Sequence, residues 1–196
     1  DVEALLAPRN PAQTFDAAAG GTFFEADGVT VSVDADAFVD ADGNPVTGDV
    51  DVTMTPVDVS SEIGLELFPG PYAGERADGS ETPVLVSQGT AEYVFSQGGE
   101  ELQLAPDATA IIEIPIYVTT LPGGQPIAEG DTIPLWYLDE EAGIWVEEGE
   151  GTVVANAASP TGLALRGEVG HFSWWNCDVA WETGTLRVKV TLTEDG

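Results

Sequence analysis

The chain has 196 residues, with 35 Asp and Glu against 5 Lys and Arg, for a formal net charge of −30. A surface of that sign repels phosphate backbones and anionic lipid headgroups, which excludes a nucleic-acid partner and an anionic membrane face. The hydrophobic share of 43% excludes a disordered acidic tail. A single fold of this length buries roughly 70% of its unfolded surface and needs no covalent staple.

In chain order, residues 1–18 carry weak periodicity and two prolines and read as a lead-in. From Gly20 the pattern is period two with turn punctuation, and no long helical stripe appears. Thr22–Ala26 and Val29–Val33 read as strands around an Asp27-Gly28 turn, and Ala37–Val39 leads into the turn residues of DADGNP. Val50, Val52 and Met54 alternate with Asp51, Thr53 and Thr55, as in a half-buried strand. Residues 60–82, rich in Gly, Pro and Ser, read as the longest loop. Val84–Ser87, Thr90–Ser96 and Glu101–Leu104 follow as strands, the last two separated by Gly98-Gly99. Ala110–Val118 is almost continuously apolar, which predicts a central strand covered on both faces. Ile133–Leu138 and Ile144–Val146 flank a hairpin turn, and Thr152–Ala155, Leu163–Val169 and His171–Cys177 continue the series. Thr185–Thr193 closes it with alternating Leu186, Val188, Val190 and Leu192. About ten short strands at this spacing predict an all-β fold, an antiparallel β-sandwich.

Single residues narrow the chemistry. Cys177 is the one cysteine, so no intrachain disulfide forms, and it reads as a small buried residue. His171 is the one histidine, which excludes a His-rich zinc site and any triad hydrolase that does not use it. No apolar run reaches the ~20 residues of a membrane span, so no membrane insertion is expected. The opening residues lack a signal-peptide pattern and suit a mature or trimmed N-terminus. Lys189 is the only lysine, and the acidic bias suits a protein in salt water outside the cell.

Chemistry concentrates in Gly170-His171-Phe172-Ser173-Trp174-Trp175-Asn176. On an extended strand His171 and Ser173 share one face, while Phe172 and Trp174 point to the other and anchor in the core. The Ser173 hydroxyl can attack the carbonyl carbon of Phe172 through a five-membered ring, converting the peptide to an ester that water hydrolyses. His171 is the side chain suited to take the hydroxyl proton and return it to the departing nitrogen. Distortion of that peptide would assist the step. The same pair also reads as a hydrogen-bonded His and Ser on a strand surface, without chemistry.

His171-Phe172-Ser173 followed by Trp174-Trp175 resembles the self-cleavage site of autoproteolytic ZU5 domains, in which the break falls between Phe and Ser. Gly20-Gly21-Thr22, GVTVSVDADAFVDADGNPVTGDVDV, LVSQGTAEYVF, LWYLDEEAGIWVEEG and HFSWWNCD are similar to ZU5-like modules of bacterial secreted proteins and lipoproteins. The resemblance spans about residues 20–178. It implies a ZU5-like β-sandwich domain there, with Ser173 as nucleophile, His171 as its activator and Phe172 as donor of the scissile carbonyl. It leaves residues 1–19 as the lead-in and 179–196 as a C-terminal strand. In bacterial relatives a small β domain often follows this segment, and Thr185–Gly196 fits its first strand. Not every ZU5-like domain cleaves.

Other features have weaker signals. Asp40, Asp42, Asn44 and Asp49 alternate like calcium ligands, but without the spacing of an EF-hand loop, and a hairpin turn explains them equally. Asp139-Glu140-Glu141 and Glu147-Glu148 resemble glycosidase carboxylates only as any acidic hairpin does. Trp136, Trp145, Trp174, Trp175 and Trp181 fit either a sugar-stacking platform or a core. The sequence therefore predicts an extracellular or cell-surface domain that cuts its own chain once between Phe172 and Ser173. No cofactor is expected, and its partner is its own cleaved C-terminal fragment. The competing expectation is a non-catalytic surface module, such as a stalk, adhesin or fibre subunit, with the HFS segment intact.

Overall fold

The computed structural model describes residues 7–82 and 84–181. In chain order its elements are β1 (Gln13–Asp16), β2 (Gly21–Phe24), β3 (Thr30–Val33), β4 (Phe38–Val39), β5 (Asp49–Val57), α1 (Glu62–Leu67), β6 (Gly74–Glu75), β7 (Glu81–Thr82), β8 (Leu85–Gln97), β9 (Glu100–Leu104), β10 (Ala110–Pro115), β11 (Thr132–Asp139), β12 (Ile144–Ala155), β13 (Leu163–Val169) and β14 (Trp174–Ala180). The all-β, antiparallel expectation holds, with fourteen strands instead of about ten and one parallel pairing, β6 with β12. The strand read at Thr185–Thr193 lies outside the described residues.

The main path runs β1-β5-β8-β14-β11-β12-β13-β10-β3-β2. Its two ends approach one another. The Gln13 Nε2 amide donates to the Phe24 carbonyl at 3.2 Å, and the rings of Phe15 and Phe23 lie 4.5 Å apart. The sheet is thus a flattened, nearly closed barrel whose walls face each other across one apolar interior, which leaves little free strand edge. Tyr93 on β8 spans that interior to donate its hydroxyl to the Glu113 carbonyl on β10 at 2.9 Å.

Period-two burial accounts for the strands. Val50, Val52 and Met54 of β5 are fully buried, and Val52 and Met54 register with Phe95 and Tyr93 of β8. Gln13–Asp16, inside the stretch read as a lead-in, pairs with β5, because Phe15 has an aromatic cluster to join. The two strands read at Val84–Ser87 and Thr90–Ser96 are one continuous strand, β8. It carries a register shift opposite Cys177/Asp178, and there Gly89 lies so close to the Pro115 carbonyl oxygen that a Cβ would stand 2.1 Å from it.

Two further expectations are corrected. β10 is not covered on both faces, since Ile111 is exposed while Ile112 and Ile114 are fully buried. Its apolar run reflects β-branched preference as much as burial. The segment read as a long loop folds into α1, β6 and β7. Ser61 caps α1 by accepting from the Gly64 amide at 3.0 Å. The neighbouring Val57, Val59 and Phe68 form a second apolar cluster with Leu85, Trp136 and Trp145 on the outer side of the β8–β14–β11 wall.

Candidate functional site

β13 pairs with β10 and β12, whereas β14 pairs with β8 and β11. Residues 170–173 must therefore carry the chain past the ends of β11 and β12, from one part of the path to another. That crossing bends the segment, so His171, Phe172 and Ser173 are not on a strand, contrary to the extended reading of His171–Cys177. The bend also changes which side chains point inward. Phe172 and Trp175 enter the main core, and Trp174 packs partly buried on the outer cluster. Phe172 does anchor as expected, closing the interior with ring centroids 4.3 Å from Phe95 and 6.1 Å from Phe38.

Three side chains and one backbone amide hold the bend. The Gln103 carboxamide brackets Phe172, its Oε1 accepting from the Phe172 amide at 2.8 Å and its Nε2 donating to the Phe172 carbonyl at 3.1 Å. Trp175 Nε1 donates to the His171 carbonyl at 3.3 Å. Ser173 Oγ donates to the Leu138 carbonyl of β11 at 2.8 Å. The Tyr93 backbone amide donates to the Ser173 carbonyl at 3.3 Å, a first rung ahead of the β8–β14 ladder. The His171 ring lies edge-on to Tyr137 at 4.6 Å and tilted over Trp175 at 5.0 Å. Its Nε2 stands 3.6 Å from Glu148 Oε1, an ion-pair neighbour beyond hydrogen-bond reach.

His171, Phe172 and Ser173 line one open cleft of about 360 Å³, walled by residues of β8, β9 and β11. The structure thus brings the three predicted residues together, but it hands the Ser173 hydroxyl hydrogen to Leu138 instead of the imidazole. Arg9 enters the same cleft and pairs with Glu92 at 3.0 Å. Tyr137 is held above the usual phenol range by burial first and by Glu148 next, so it stays a neutral wall. Non-glycine left-handed φ angles occur among the described residues at Asp36 and Asp107, not in the bend.

The remaining candidates are placed plainly. Asp40 Oδ1 accepts from the amides of Asp42 at 3.0 Å and Asn44 at 2.8 Å, and Oδ2 accepts from the Asn44 side chain at 3.1 Å. Both oxygens thus serve a hairpin turn, and those bonds hold the carboxyl below its ordinary range. No cluster of three or more metal-binding side chains occurs among the described residues. Glu147 accepts from the Ala77 amide while Glu148 faces His171, so the acidic pair diverges. Asp139 accepts from the amides of Glu141 and Ala142 and closes its turn. Trp136, Trp145 and Trp175 are fully buried and Trp181 is exposed, which makes a core and not a stacking platform. Cys177 is fully buried, donates to the Gly89 carbonyl, and burial pushes its thiol well up, away from a reactive thiolate.

Sequence reasoning missed Gln103 and read Glu148 only as half of an acidic pair; their places beside Phe172 and His171 depend on strand packing and not on local pattern. Comparison with protein-family models, with curated proteins and with solved structures finds no match to this chain.

Proposed function

We propose that this chain is a ZU5-like β-sandwich domain, extracellular or on a cell surface, that cuts itself between Phe172 and Ser173. The observation that carries the reading is the shared cleft: the Phe172–Ser173 peptide, the only imidazole in the sequence and water access meet at one bent crossing. Anchoring of Phe172 between Phe95 and Phe38 fixes the acyl side of the bond, as positioning requires. For reaction, the Ser173 hydroxyl leaves Leu138 by a rotation about χ1 and presents its proton to His171. Attack of Oγ on the Phe172 carbon, protonation of the Ser173 nitrogen and hydrolysis of the resulting ester complete the cut. Glu148 Oε1 stands 3.6 Å from the imidazole Nε2, beyond hydrogen-bond reach. No cofactor takes part, and the two pieces stay together as partners.

A second reading has its own observation. The Ser173–Leu138 hydrogen bond is a satisfied structural contact, which suits an intact stalk, adhesin or fibre module. Freshly synthesised wild type and Ser173→Ala, denatured and resolved by size over time, separate the two. The self-cleavage reading expects 1–172 and 173–196 from wild type and an uncut Ser173→Ala chain. An uncut wild type at neutral pH supports the structural module.

A further inference from the structure

We propose that Gln103 supplies the oxyanion donor for cleavage of the Phe172–Ser173 bond, an assignment that rests on the self-cleavage reading above. β9 sets the side chain. Leu102 and Leu104 are buried in the core, so period-two geometry turns Gln103 between them outward, into the cleft. Pairing of Gln103 with Val39 and of Leu102 with Phe95 fixes the strand on both sides. The two bonds to Phe172 fix the amide orientation, because turning it over would oppose two N–H groups and two oxygens.

The chemistry follows the electrons. Ser173 Oγ forms a bond to the Phe172 carbonyl carbon as its proton passes to the His171 imidazole. The carbonyl π pair moves onto the Phe172 oxygen, which is the atom that Gln103 Nε2 already meets at 3.1 Å. A neutral acceptor becomes an anion there, so the existing hydrogen bond strengthens as charge develops and costs no reorganisation. Collapse breaks the carbon–nitrogen bond, and the imidazolium returns the proton to the Ser173 nitrogen, leaving an ester and a free amine. Water then adds to the same carbon, charge returns to the same oxygen, and Oγ leaves as the hydroxyl with Phe172 ending as a carboxylate. Gln103 therefore serves both steps. Its other bond, from the Phe172 amide to Oε1, keeps the carbonyl from swinging away. Because Gln103 lies 69 residues from Phe172, the donor exists only once β9 has docked, which confines the cut to the folded chain.

The test follows processing of the nascent chain in cell-free synthesis, with wild type, Gln103→Glu, Gln103→Leu and Glu101→Gln, the last a neighbour in the same cleft. Gln103→Glu keeps the shape and the acceptor for the Phe172 amide but loses the donor. The proposal expects both Gln103 variants to slow appearance of 1–172 by about 10²–10³-fold, the range for loss of one oxyanion donor. Glu101→Gln should process like wild type, and precursors of both Gln103 variants should keep a cooperative melt. Wild-type speed in Gln103→Glu overturns the donor assignment and leaves self-cleavage standing. Loss of the cooperative melt in Gln103→Glu makes Gln103 a structural residue and also overturns it. A wild-type chain that stays whole removes both readings.

Discussion

The two halves of the segment that ends in β14 treat polar groups in opposite ways. At its entrance, in the bend, Phe172 has its amide and carbonyl on Gln103, and the Ser173 hydroxyl and carbonyl have their own partners. A few residues later, Asn176 and Asp178 are fully buried, and Asn176 Nδ2 and both Asp178 carboxylate oxygens lack a partner in hydrogen-bond geometry. Ser87 bonds to Asn176 Oδ1, and both residues stand near enough to Asp178 to favour its charge, but burial prevails and pushes that carboxyl up to about 8. The open bend is satisfied and organised around one peptide, whereas in the buried stretch desolvation of Asp178 outweighs the support of Ser87 and Asn176. One half carries the proposed chemistry, and the other makes stability depend on pH.

The largest expected effect is at the bend. Ser173→Ala should abolish cleavage, and the lost bond to Leu138 should cost only about 1 kcal/mol in a thermal melt. His171→Ala should slow cleavage by about 10²–10⁴-fold in the same time course, the usual range for a general base. Cleavage that persists in Ser173→Ala would break the comparison by removing chemistry from the bend. Phe172→Ala comes next, because it empties the site between Phe38 and Phe95. It should lose about 3–5 kcal/mol in denaturant unfolding.

The buried half is sharpened by Asp178→Asn. The folded carboxyl is raised above its unfolded value of 3.8, so the folded state holds the extra proton between pH 4 and 8. Stability from this group is whole below pH 4, falls as pH rises towards 8 and then levels off. Asn has nearly the same shape and cannot ionise. Asp178→Asn should melt higher than wild type at pH 8.5, by about 4–8 °C for a 2 kcal/mol gain, with the gap closing towards pH 5. An equal melting temperature at both pH values would mean that the carboxyl finds support the structure does not show. Asp40 and Asp78, both lowered by local hydrogen bonds, act in the opposite sense, and their support fades as pH falls below the ordinary carboxylate range. The smallest effect concerns the whole surface. With a net charge of −30, the melting temperature should rise between low salt and about 0.5 M, where the Debye length is a few Å. A flat profile would show that the charges are locally balanced.

What the sequence made legible was what repeats along one strand. Alternation at Val50, Val52 and Met54 and the turn at Asp27-Gly28 gave the right elements, because burial on one face is a local pattern. The α1 start also had a signal, Ser61 followed by Glu62, which the Gly and Pro around it obscured. The bend was not legible as a bend. His171–Cys177 has strand composition, and only the positions of β13 and β14, with β11 and β12 between them, force the chain to cross. The places of Gln103 beside Phe172 and of Glu148 beside His171 could not be found from pattern, since neither residue is near the motif in sequence. Asn176 and Asp178 inside an apolar strand were a visible warning of a buried polar stretch. His171, Phe172 and Ser173 line one cleft, but the parity read for the segment does not hold, since Phe172 enters the main core while Trp174 packs on the outer cluster.

The most direct test of the central claim is the mass of the purified wild-type chain, taken after native gel filtration and again under denaturing conditions. Trp175 and Cys177, carried by the downstream piece, are fully buried in the core, and each large apolar side chain holds by roughly 1.5–3 kcal/mol. The account predicts a single native peak that resolves on denaturation into masses for 1–172 and 173–196. A single denatured mass corresponding to 1–196 after long incubation at neutral pH would contradict it.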